Sequence, residues 1–145
     1  DNRWDLFAYD RARKAMRTFA LSRMHGTELT KDRFERAPKF NPDEYLRGSF
    51  GVFKGEDDFE VVIEFDSWAA DLLQGRRWHP SQEVIDFPRG GLRMRLRLNN
   101  IEEIERWVLG WGKHATVIRP TKLAKRIEQA AADILRSYRD DGAKE

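Results

Sequence analysis

At 145 residues the chain has room for one ordinary domain, or for one domain and a fragment of another. Its 27 basic and 25 acidic residues leave a net charge of +2, so bulk charge demands no nucleic-acid partner and the placement of the charges matters more. With no Cys, disulfides and thiolate metal sites are excluded, and with no long apolar run a membrane span is not expected; both fit a cytoplasmic protein.

The opening Asp1-Asn2-Arg3-Trp4 reads as the start of a fragment cut from a longer protein. Residues 3–9 alternate around Trp4, Leu6 and Ala8 and predict a strand. A second strand is predicted from about Met16 to Arg23, after a polar turn over Asp10 to Lys14. Thr27 to Thr30 extends or follows it. Two strands are marginal in water, so this ribbon needs a partner surface. Pro38 and Pro42 punctuate a connector over 32–50, where Asn41 and Pro42 start a short helix that Gly48 ends.

A domain boundary is expected near residue 50. Phe59, Val61, Ile63 and Phe65 alternate as a strand. Asp66 or Ser67 then caps a helix carrying Trp68, Ala69, Leu72 and Leu73, closed by Gly75. Strands follow at Gln82 to Phe87 and over Leu92 to Leu98, joined by the tight turn Pro88-Arg89-Gly90-Gly91. Asn100 caps a helix through Leu109, Gly110 and Gly112 stop it, and His114 to Ile118 forms a last strand. The order β-α-β-β-α-β predicts a ferredoxin-like sandwich. A C-terminal helix over 121–138 repeats apolar residues at Leu123, Ile127, Ala130, Ala131, Ile134 and Tyr138, and the tail from Asp140 frays.

No catalytic constellation stands out. His25, His79 and His114 lack partners at metal-ligand spacing, so neither a metal nor a cofactor is expected, and the chain does not read as an enzyme. Gly110-Trp111-Gly112-Lys113 follows a helix where a phosphate-cradling loop precedes one, and reads as a helix stop. Arg93, Arg95 and Arg97 share one strand face, with Glu60 and Glu64 on the neighbouring strand. Two readings stand, a cross-strand salt-bridge lattice and a basic platform. That face carries no aromatic side chain for stacking bases in the usual sheet mode.

In the front ribbon, an even spacing places Arg17 and Arg23 on one strand face with Phe19 and Leu21. Two guanidinium groups there make an anion site, with Trp4 or Tyr9 to stack a base; the plainer reading has both arginines reaching solvent.

Trp4-Asp5-Leu6, Arg17-Thr18-Phe19 and Arg23 resemble the signature region of WYL-domain bacterial transcriptional regulators. Phe59 to Leu73, Trp78-His79-Pro80-Ser81-Gln82, Trp107 to Gly112 and Pro120 to Leu123 resemble the C-terminal extension that follows that domain. Asp5 stands where the signature has Tyr. The resemblance implies an α+β chain in three parts: residues 1–33 from an Sm-like WYL barrel, a connector at 34–50, and the ferredoxin-like extension at 51–145. It implies an effector-sensing and dimerising fragment whose DNA-binding helix-turn-helix lies elsewhere, so that duplex DNA is met only through that domain. Arg17, Arg23, Trp4 and Tyr9 are the expected ligand residues. Arg93, Arg95, Arg97, His79 and Gln82 form a secondary basic or cleft surface. A homodimer and a nucleotide or single-stranded nucleic-acid effector are the expected partners. The alternative is a module that binds nucleic acid directly, whose affinity falls steeply with salt.

Overall fold

The computed structural model describes residues 4–35, 40–52 and 54–141. Pro38 and the tail beyond Asp141 lie outside them.

Strands β1 (Asp5–Asp10) and β2 (Ala15–Ala20) form an antiparallel hairpin in the register Leu6–Phe19, Phe7–Thr18, Ala8–Arg17, Tyr9–Met16. Asp10 fixes the turn. Its carboxylate accepts from the Ala12 and Arg13 N–H groups and pairs with the Arg13 guanidinium at 3.1 Å. These bonds to the charged form hold the Asp10 carboxyl below its ordinary pKa.

The second strand is shorter than the sequence predicts. It ends at Ala20: the Leu21 N–H still donates to Trp4 O as a last rung of the ladder, but Met24 N–H closes back on Leu21 O and makes Leu21–Arg23 a 3₁₀ turn. Thr27 to Thr30 forms no strand.

The hairpin finds its support in the connector. Helix α1 (Pro42–Tyr45) starts as predicted, with the Asn41 side chain accepting from the Asp43 and Glu44 N–H groups and Pro42 at the first turn. Phe7 meets Phe40 and Tyr45 at ring separations of 6.1 and 5.4 Å. Tyr45 donates its hydroxyl to Met16 O, and Thr18 donates to Val52 O at 3.4 Å.

The remainder is β3 (Phe59–Phe65), α2 (Ser67–Leu73), β4 (Glu83–Asp86), β5 (Leu92–Leu98), α3 (Glu102–Leu109), β6 (Ala115–Arg119) and α4 (Thr121–Asp141). His114, expected in the last strand, closes the turn before it. The sheet order β4-β5-β3-β6, antiparallel throughout, is the ferredoxin-like arrangement.

Alternation assigns the two sheet faces. Val61, Ile63 and Phe65 of β3 and Leu92, Met94, Leu96 and Leu98 of β5 are buried beneath Ala69 and Leu73 of α2, Ile104 and Val108 of α3, and Leu123 of α4. Full burial of each Val, Leu, Ile, Phe or Met side chain there is worth about 1.5–3 kcal/mol. Trp107 centres an aromatic cluster, with Phe50, Phe65, Trp78 and Trp111 all 5.4–5.7 Å from its ring.

Asp66 caps α2 by accepting from Ala69 N–H at 3.0 Å. Gly91 sits at φ +87 in the β4–β5 turn, where a Cβ would lie 2.6 Å from Phe65 O.

Candidate functional site

The hairpin has two unlike faces. Asp5, Phe7, Tyr9, Met16, Thr18 and Ala20 share the side whose Phe7 and Thr18 meet the connector. Leu6, Ala8, Arg17 and Phe19 share the other, which Trp4 continues by alternation. Trp4 is 81% exposed and Leu6 42%. Arg17 is exposed, and no hydrogen bond or ion pair to it occurs among the described residues.

The structure thus brings Arg17 and Trp4 to one side of the ribbon. It places Tyr9, opposite Met16, on the other side. Arg23, expected on the Arg17 face of a continuous strand, is exposed on the 3₁₀ turn beyond the strand end.

The sheet arginines are differently placed. Arg93 pairs with Glu64 at 2.5 Å, and Arg95 with both Glu60 and Glu83 at 3.3 Å. Arg97 pairs with Asp58, and Arg119 joins Glu60 at 3.1 Å. Four carboxylates answer four guanidinium groups, so the open face is the salt-bridge lattice and carries no excess of positive charge. The Arg97 guanidinium holds the Asp58 carboxyl below its ordinary pKa.

The Trp78-to-Gln82 segment is a loop bound to itself. The Trp78 N–H donates to Gln82 Oε1 at 2.7 Å, and Gln82 Nε2 donates to Arg76 O at 2.9 Å. His79 is buried, which holds its pKa below the ordinary histidine value. Ser81 Oγ lies 2.7 Å from His79 Nδ1, a contact that nucleophilic enzymes also use. Here the same hydroxyl is bonded to both the N–H and the C=O of Arg97, so it clips the loop to β5. Gln82 and the Nδ1 of His79 therefore spend their hydrogen bonds on this loop.

Two features escape the sequence reading. One is an open groove of about 690 Å³ among Trp68, Trp107, Trp111, Lys113 and His114, with Arg106 at its rim. Trp68 and His114 stack at 4.3 Å, and His114 Nδ1 lies 2.7 Å from Asp66 Oδ2. Ala69 N–H first and His114 second hold the Asp66 carboxyl below its ordinary pKa. Arg106 lies in the last turn of α3, where a helix dipole favours positive charge without any ligand, and its Nε donates to Glu102 O at 3.5 Å.

The other is the clamp that ties residues 47–55 to α3 and the end of β5. Glu103 on α3 accepts from the Gly51 and Val52 N–H groups at 2.8 Å each. The Asn99 amide donates to Arg47 O and accepts from Gly55 N–H. No spacing along the chain announces bonds between residues about fifty positions apart. Among the described residues no group of three or more His, Asp or Glu is placed to hold a metal. Among them, too, no helix is long and apolar enough to cross a membrane.

A β-α-β-β-α-β sandwich with a C-terminal helix, preceded by a clamped ribbon, is the class of structure these elements define. The WCX domain family matches residues 57–135, more than half of the chain, and the chain belongs to that family, the C-terminal extension of WYL-type regulators. Among solved structures, Proteasome accessory factor B/C (PafBC) of Arthrobacter aurescens is similar, at 25% identity and a TM-score of 0.39, over 90% of this chain and 20% of that one. The chain therefore spans about a fifth of that structure's length. No curated protein matches the sequence.

Proposed function

We propose that this chain is the effector-sensing and subunit-pairing part of a WYL-type transcriptional regulator, acting in the cytoplasm, with duplex DNA contacted by another part of the protein. In this reading residues 1–33 belong to the WYL domain, 34–50 connect, and 51–145 form the extension. Family membership supports the regulatory class.

One observation carries the effector site. Of the arginines on described strands, Arg17 alone lacks a carboxylate partner, while Arg93, Arg95, Arg97 and Arg119 are all paired. An unpaired guanidinium on the same ribbon face as an exposed indole, with Leu6 and Phe19 between them, suits an anion with a stackable ring, the chemistry of a nucleotide or single-stranded nucleic acid. Arg23, one turn past the strand, adds a second cation.

The test is fluorescence anisotropy with a labelled single-stranded oligodeoxynucleotide across a salt series. Arg17→Ala lowers affinity and flattens the log–log salt slope by about 0.7, the value for one lost phosphate contact on a single strand. Arg93→Ala leaves both unchanged. Equal affinity in wild type, Arg17→Ala and Arg23→Ala removes the proposed site.

A further inference from the structure

Helix α4 outruns the domain it belongs to. Its 21 residues extend about 31 Å at the usual rise. Leu123 is fully buried, Ile127 and Ala130 are half-buried, and Arg126 pairs with Glu105 of α3 at 2.5 Å. From Ala131 through Arg139 every residue is exposed. The apolar stripe does not stop there. Leu123, Ile127, Ala131, Ile134 and Tyr138 recur at steps of four, four, three and four, keeping to one side of the helix. Past the domain edge the same side presents Ile134 at 52%, Leu135 at 50% and Tyr138 at 78% exposure. A free helical extension of three turns is marginal in water without packing.

The charges beside the stripe indicate the occupant. Glu128 follows Ile127 and Arg139 follows Tyr138, so both lie along the same edge, three turns apart. Neither has an ion pair among the described residues, unlike Arg136, which pairs with Asp133. When two helices pair antiparallel about a twofold axis, like edges face each other. Glu128 of one copy then meets Arg139 of the second, twice by symmetry. In a parallel pair one edge faces the opposite edge of the second copy, so Glu128 and Arg139 would not meet.

We infer that the free half of α4 is the contact through which two copies of this chain pair, antiparallel and closed by two Glu128–Arg139 ion pairs. The inference rests on the subunit-pairing reading above and gives it a surface. Three turns of helix bury less than the roughly 1,200 Å² of a stable interface, so pairing through α4 is concentration dependent.

Sedimentation velocity on the full chain over a wide concentration range tests it. Wild type shifts toward twice its monomer mass as concentration rises. The double variant Ile134→Glu with Tyr138→Glu stays monomeric while keeping its thermal midpoint, because Ile134 and Tyr138 are exposed among the described residues. Glu128→Arg and Arg139→Glu each weaken pairing several-fold, and the two together restore it. If these variants pair as wild type does, the α4 contact is overturned while subunit pairing through another face stands. If wild type is monomeric at every concentration, both fall.

Discussion

At the scale of single residues, stability is concentrated on one sheet face. Leu96 is fully buried in the middle of β5 and faces Val61 across the ladder. Leu96→Ala removes its apolar volume and leaves a cavity, at a cost of about 2–5 kcal/mol, read as a lower urea midpoint with unchanged slope. His79 gives a pH signature. Burial lowers its folded-state pKa, so the folded protein binds that proton less readily than the unfolded chain does. The contribution is complete above the ordinary value of about 6.5 and is lost as pH falls toward the lowered folded value. The urea midpoint is therefore lower at pH 5 than at pH 7, and His79→Gln narrows the difference. Asp66 acts further into acid. Its contribution is present above the ordinary aspartate value of about 3.9 and is lost as pH falls through the depressed one.

At the scale of elements, the hairpin and the sheet domain part company. Surface ion pairs are worth about 0.2–1 kcal/mol each, so Arg95→Ala shifts stability by that order, and a double-mutant cycle with Glu83 reads the pair directly. The clamp is less forgiving. A Cβ on Gly55 would sit 1.9 Å from Asn99 O, where the backbone has no room to yield. Gly55→Ala thus loosens the connector and speeds amide exchange over residues 5–20, while β3 and β5 stay protected. Much of this architecture is legible in sequence. Alternation at 59–65 and 92–98 names the buried face, and Asn41, Asp66 and the Gly90-Gly91 turn mark where elements start and stop. The end of β2 at Ala20 is not legible. Nothing in Leu21-Ser22-Arg23 forbids a strand, and the turn there is made by the Met24 N–H closing on Leu21 O. The Arg17–Arg23 spacing therefore carries less meaning than it does on a continuous strand. The lattice, by contrast, follows from counting Glu60 and Glu64 against Arg93 and Arg95, because alternation alone puts all four on one face.

At the scale of the whole molecule, the parts are joined by few but specific bonds. Thr18 holds Val52, Glu103 holds Val52 and Gly51, and two residues on, Glu105 holds Arg126. Saturating oligonucleotide is expected to change the self-association constant of wild type and not that of Glu103→Ala, measured by sedimentation at matched concentrations. The ribbon, α3 and α4 then lie along one connected run of bonds, with Glu103 at its middle. If the proposed anion site and the proposed helix pairing both hold, cutting that carboxylate leaves each in place with neither event reporting to the other.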